Sequence, residues 1–230
     1  MNKENIFYLL QINDALFPIG GYSHSYGLET YIQKGLVQNT EDAALYLHNK
    51  LKYSILYSDL LGARLAYEYT KQEDVEALIK LNHLTHVLKA PVEIRDASIK
   101  LGSRFLKTIQ SLPLSFETEV FNDFVNKTQE KPVHHCCIYG VFCAALGINE
   151  SDTLRHYLYG QTSAIVTNCV KSIPLSQTDG QKILSSSFPL LLDLLQEVME
   201  LSEDWYGCST PGFDIRCMQH EGLYSRIYMS

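Results

Sequence analysis

The chain has 230 residues, 46% of them hydrophobic and 20% charged, enough for one sizeable core and too apolar for a disordered or collagen-like polymer. Nineteen Lys and Arg against twenty-six Asp and Glu leave a net charge of −7, which argues against nucleic acid as a partner while allowing a local basic patch. The six cysteines, Cys136, Cys137, Cys143, Cys169, Cys208 and Cys217, contain no CxxC pair; they spell out neither a disulfide framework nor a zinc knuckle and fit a reducing cytoplasm.

From the N-terminus, a short apolar patch is interrupted by Gln11, Asn13 and Asp14 and lacks the apolar region of a signal peptide, so export is not expected. Gly20-Gly21 predicts a turn, with Ser23 capping a helix through Tyr31. Asn39-Thr40 opens a long helix to about Thr70, with Leu47, Leu51, Ile55, Leu61 and Leu65 on one face. Another starts near Gln72, with Glu73 and Asp74 at its positive end, and Pro91 starts a third that Leu112-Pro113 stops. Ser115 is the expected cap of a short helix carrying Phe116, Val120, Phe121 and Phe124.

Cys136 to Ile148 lacks strongly polar side chains but falls short of the ~20 residues of a membrane span, so it reads as a buried helix. Its Gly140, Ala144 and Gly147 let a neighbouring helix come close. Asn149 caps a helix running to Ile173, expected at the centre of the core with Cys169 on its buried face. Ser176 and Asp179 resemble a capping box, Pro189 should bend or split the following helix, and Ser202 to Gly212 reads as a surface loop. A last short helix from about Phe213 leads to a tail rich in tyrosine. Helical periodicity throughout, without strand-like alternation, predicts an all-α fold: one domain over residues 1–230, a bundle of about eight to ten helices.

No constellation in the chain spells out catalysis. Gly21-Tyr22-Ser23-His24 begins like a nucleophile elbow, but Ser25 stands where glycine is needed and no strand precedes it. No phosphate-cradling loop follows Gly20-Gly21. His134, His135, Cys136 and Cys137 are metal-ligand types, yet successive helical side chains diverge by about 100°, so at most two could share a metal. Partially exposed histidines above buried cysteines are the simpler expectation. His83 and His86, at i,i+3, are a second such pair on a helix that is mostly core. An independent His/Cys metal carrier and an unrecognised hydrolase acting through Ser23 stay open as alternatives. Fifteen tyrosines against one tryptophan suit a protein interface. In the tail, Tyr224, Arg226 and Tyr228 recur at every second residue; they predict a binding hot spot, or else a strap over the chain's own core with Arg226 paired to an acid.

Five ordered blocks resemble the UreF family of urease accessory proteins over nearly the whole chain. The first is Ala15 to Glu29, with Pro18, Gly20-Gly21, Tyr22-Ser23 and Gly27-Leu28-Glu29. Arg95, Ser98, Leu101-Gly102 and Phe105-Leu106 form the second, and His135, Gly140 and Ala144 to Ile148 the third. Ile173 to Gln181 is the fourth, and Asp214-Ile215 with Met218 to Ser230 the fifth. Ser176 stands where many members carry Gly and Lys171 where many carry Arg. The resemblance implies a non-enzyme that dimerises, binds the UreD (UreH) accessory protein and with it brings the GTPase UreG to apo-urease. It implies no firmly bound cofactor, with nickel in transit within the assembled complex, and a cytoplasmic location without membrane or nucleic-acid contact. The expected partner-binding residues are Pro18, Gly20, Gly21, Tyr22, Ser23, His24 and Glu29, then Lys171, then His220, Glu221, Tyr224, Ser225, Arg226 and Tyr228.

Overall fold

Four of the helices begin where a short polar side chain is free to bond the first turn. Asn39 accepts from the Asp42 N–H, Asp74 from Ala77, Asn149 from Asp152 and Ser176 from Asp179, the last as a reciprocal capping box. The computed structural model describes residues 4–129, 131–208 and 210–230, and its described residues form an all-α fold without strands. In chain order the helices are α1 (Asn5–Ile12), α2 (Leu28–Gln33), α3 (Thr40–Lys50), α4 (Leu61–Lys71), α5 (Val75–Leu88) and α6 (Val92–Ile109). They continue with α7 (Val120–Lys127), α8 (His135–Ala145), α9 (Glu150–Ser172), α10 (Gln177–Ser186), α11 (Phe188–Glu200) and α12 (Pro211–His220). A π-helical stretch, Leu51–Leu60, joins α3 to α4 in one rod that ends close to the expected Thr70. Counting that rod once leaves eleven among the described residues, slightly more than expected; α1 forms where the sequence offered only a short apolar patch, its Leu9 and Ile12 buried and Asn5 donating to the Leu146 carbonyl.

Three expected starts move. α2 is not capped by Ser23, whose hydroxyl donates back to the Gly20 carbonyl at 2.8 Å; it begins after Gly27, at φ +87°. α5 starts at Val75 because Glu73 is left-handed (φ +58°) and Asp74 is the cap. α7 starts at Val120 rather than after Ser115, since the Glu117 N–H is taken by the Ala145 carbonyl and Phe116 stacks on Phe121 at 4.2 Å. The split before Pro189 is as expected, with Ser187 between α10 and α11.

The centre of the bundle is α8, every residue of which is buried, rather than α9. α9 buries Leu154, Tyr157, Leu158, Ile165, Val166 and Cys169 on the expected face but exposes Ser151, Arg155 and Tyr159. α8 sits deepest because Gly140 lets α4 approach: a Cβ there would lie 2.3 Å from the Ala63 carbonyl oxygen and 2.9 Å from the Ala66 methyl. Cys169, in its apolar setting, has its thiol pushed up to about 12 by burial.

Candidate partner-binding surface

Gly20, at φ +78°, turns the chain after Pro18 into a single 3₁₀ turn, Gly21–Ser23. Gly21 has ordinary φ and open space around it, so of the two glycines only Gly20 is required by the backbone. Beyond the turn the chain meets the C-terminal tail. The Ser25 and Tyr26 N–H groups donate to the Ser230 carbonyl, Met229 N–H donates to the Ser23 carbonyl, and His24 Nδ1 lies 2.8 Å from Ser230 Oγ. Asn168 of α9 closes the joint from below by donating to the His24 carbonyl.

Glu29 anchors the tail. Its carboxylate accepts from the Ile227 N–H (2.7 Å), the Tyr228 N–H (3.2 Å) and His220 Nε2 (3.1 Å). The other ring nitrogen of His220 lies 2.6 Å from Glu93 of α6, which also takes Arg226 at 2.8 Å. Each ring nitrogen of His220 is thus set against a carboxylate oxygen from a different helix. Tyr228 inserts its ring, its hydroxyl accepting from Ser172 and donating to the Asn168 carbonyl.

The loop, α2, α12, the tail and the end of α9 therefore form one structure, joining sequence positions about two hundred apart. Lys171 joins it by lying over the Tyr22 ring at 5.6 Å. Burial divides the expected partner-binding residues. Pro18, Lys171, Glu221, Tyr224, Ser225 and Arg226 are exposed, Tyr224 completely, and Gly20, Gly21, Tyr22 and Ser23 are half-buried. His24, Glu29, His220 and Tyr228 are buried, so they hold the surface in shape from beneath, His24 through its bond to Ser230. The tail takes the strap geometry, with Arg226 paired to Glu93.

Glu93, Asn168, Ser172 and Gln33, which donates to the Ser225 carbonyl, do not stand out in the sequence. Asn168 does leave a signal, a polar residue beside Cys169 on a buried face. Glu93 leaves none, because an acid in a first helical turn already has an explanation.

His134 and His135 are both buried rather than partly exposed. Asn82 accepts the His134 N–H, Ser98 lies 3.0 Å from its Nδ1 and His86 Nδ1 lies 3.3 Å from its Nε2; burial, then nearby Lys89, push His134 down to about 3. His135 stacks on Tyr157 and burial pushes it to about 4. Among the described residues no group of three or more His, Cys, Asp or Glu side chains is placed to hold a metal. Near the centre, the Asp59–Lys89 ion pair at 2.9 Å faces a cavity of about 80 Å³ with Tyr157 and Tyr206; burial is the largest single effect and disfavours both charges, but the partner's charge and the hydrogen bonds to it, added to those of other neighbours, prevail, so Asp59 is lowered and Lys89 raised.

Residues 37–187 match the UreF family model. The chain belongs to the UreF family. A urease accessory protein UreF of Bacillus sp. (strain TB-90) is 30% identical over 96% of this chain and 97% of its own length. UreF proteins of Actinobacillus pleuropneumoniae serotype 5b and Haemophilus influenzae strain PittGG are 33% and 34% identical, covering 96% of this chain and 97% and 94% of their own lengths. The loop and tail blocks lie outside the residues that match the family model, and their joining is seen in the structure. No helix among the described residues is long and apolar enough to cross a membrane.

Proposed function

We propose that this chain is a non-catalytic scaffold of urease maturation, which with a UreD/UreH-type protein brings a UreG-type GTPase to apo-urease for nickel insertion. It works as a homodimer in the cytoplasm, with nickel passing through the assembled complex and no firmly held cofactor of its own. Family membership supports the urease setting. The observation that supports partner capture is the rigid joint beneath an exposed rim: Tyr224, Ser225 and Arg226 are presented to solvent by a tail bonded on both sides, so little order remains to be gained on binding.

The test is co-expression with the UreD/UreH-type protein, the UreG-type GTPase and apo-urease. Tyr224→Ala and Arg226→Ala should leave the chain soluble and helical but abolish co-purification with the UreD/UreH-type protein and urease activation. Retained capture and activation in both would overturn the reading. An independent carrier would instead retain about one nickel per chain after desalting.

A further inference from the structure

The charge of this chain is unevenly spread, and one helix face carries cations that nothing in the fold uses as counter-ions. Lys100, Arg104 and Lys107 lie on α6 at i, i+4 and i+7, all exposed. At about 100° per residue they fall within an arc of roughly 60°. They span ~10 Å of helix. None of the three forms an ion pair among the described residues. The acids nearest in sequence do not change this. Glu93 is occupied by His220 and Arg226, and Asp96, one turn before Lys100, makes no ion pair among the described residues.

The stripe runs beside the turn at Gly20. Arg104 donates to the Ile19 carbonyl at 3.3 Å, and its guanidinium fills the space a Gly20 side chain would need. Lys100 and Arg104 lie close enough to His24 to add to the effect of burial on its proton affinity. Across the same turn stands Lys171, also without an ion pair among the described residues, over Tyr22.

We infer that the exposed Lys100–Arg104–Lys107 face of α6, beside the Gly20 turn, is a docking surface for a short acidic segment of a partner protein. Complementarity of charge selects the occupant. On a chain of net charge −7, a long polyanion or an anionic bilayer would meet repulsion over the rest of the surface, whereas a segment about as long as the stripe covers its three cations and stops short of the exposed Asp96, one turn beyond its end. Unpaired and exposed, these side chains lose no internal ion pair on docking. The surface acts chiefly on encounter rate and orientation. This goes beyond the scaffold reading and stands apart from it, since the isolated chain and a synthetic peptide suffice to test it.

The experiment is fluorescence anisotropy of a labelled hexaglutamate peptide with the full chain, at low and at near-physiological salt. Binding should weaken as salt rises, and Lys100→Glu with Arg104→Glu should weaken it by about tenfold or more. The neutral pair Lys100→Gln with Arg104→Gln should give a smaller loss in the same direction, and Lys34→Glu, on an exposed lysine at the end of α2, less than about twofold. All variants should keep the parent melting temperature because the sites are exposed. Equal peptide binding by the reversed and parent chains would overturn the inference, as would the absence of peptide binding at low salt. Tighter binding of a short DNA duplex or of phosphatidylserine vesicles than of the peptide would also overturn it.

Discussion

The α4–α8 seam and the joint between tail and loop are both tightly made, but by different means. At the seam, Gly140, Ala63 and Ala66 bring two helix backbones together, and the stabilisation comes from apolar area removed from water and from dense contact. At the joint, Glu29, His24 and His220 bind backbone N–H groups, a hydroxyl and a second carboxylate, while Tyr224 and Ile227 next to them are exposed. A seam of small residues tolerates no added volume. A joint of hydrogen bonds tolerates volume nearby but not the loss of an acceptor. The difference assigns the seam to stability and the joint to holding a surface in shape.

Gly140→Leu should have the largest effect. Its side chain meets backbone rather than a movable side chain, so a loss of about 3 kcal/mol or more is expected. Thermal melting would check it, and an unchanged midpoint would show that the seam is looser than its geometry. Glu29→Gln keeps the shape but turns an amide N–H₂ toward donors, with an expected cost of about 2 kcal/mol. Amide hydrogen exchange at Ile227 and Tyr228 should rise while that of α8 stays slow; equal loosening of both would merge the two regions into one cooperative unit.

The third prediction uses pH. Burial first, then Lys100 and Arg104, push His24 from its ordinary 6.5 down to about 4, so between those values the unfolded chain binds a proton that the folded chain does not. The stability tied to neutral His24 is therefore complete above about pH 6.5 and is lost as pH falls toward 4, with a loss of about 2 kcal/mol at pH 5. Urea titrations at pH 7.5 and 5 should show a smaller acid loss in His24→Gln than in the parent, and identical losses would remove His24 from the joint's energetics. His134 and His135, near the seam, shift in the same direction and should keep the remaining acid sensitivity in that variant. The smallest effect is expected for Arg226→Ala, whose pair with Glu93 is partly exposed and worth about 0.5 kcal/mol to stability. A larger drop in melting temperature would place Arg226 among the structural bonds of the joint.

Features set by neighbours along the chain are legible in the residues themselves. The rod from Thr40, the capping box at Ser176, the split at Ser187 and the buried face of α9 follow from periodicity and from side chains that bond their own first turn. Ser115 and Ser23 mislead for one reason: a serine caps only where the next N–H groups are free, and both lie where the chain bonds elsewhere. The loop and tail strings are visible as unusual runs, but their meeting is not. Glu29 and Tyr228 are 199 positions apart, and neither residue's immediate neighbours indicate the other.

The sequence by itself determined an all-α chain, where most of its helices start and stop, which faces are apolar, and the block pattern of the UreF family. These depend on backbone chemistry and periodicity acting over a few residues. Tertiary structure alone decided that α8, not α9, lies at the centre, because burial on all sides depends on what packs against each face and Gly140 admits α4. It also decided that His24, Glu29, His220 and Tyr228 are buried beneath the surface that Tyr224 and Arg226 present. A polar side chain suits solvent or a buried hydrogen-bonded joint equally well until its partners, from distant parts of the chain, are brought within about 3 Å.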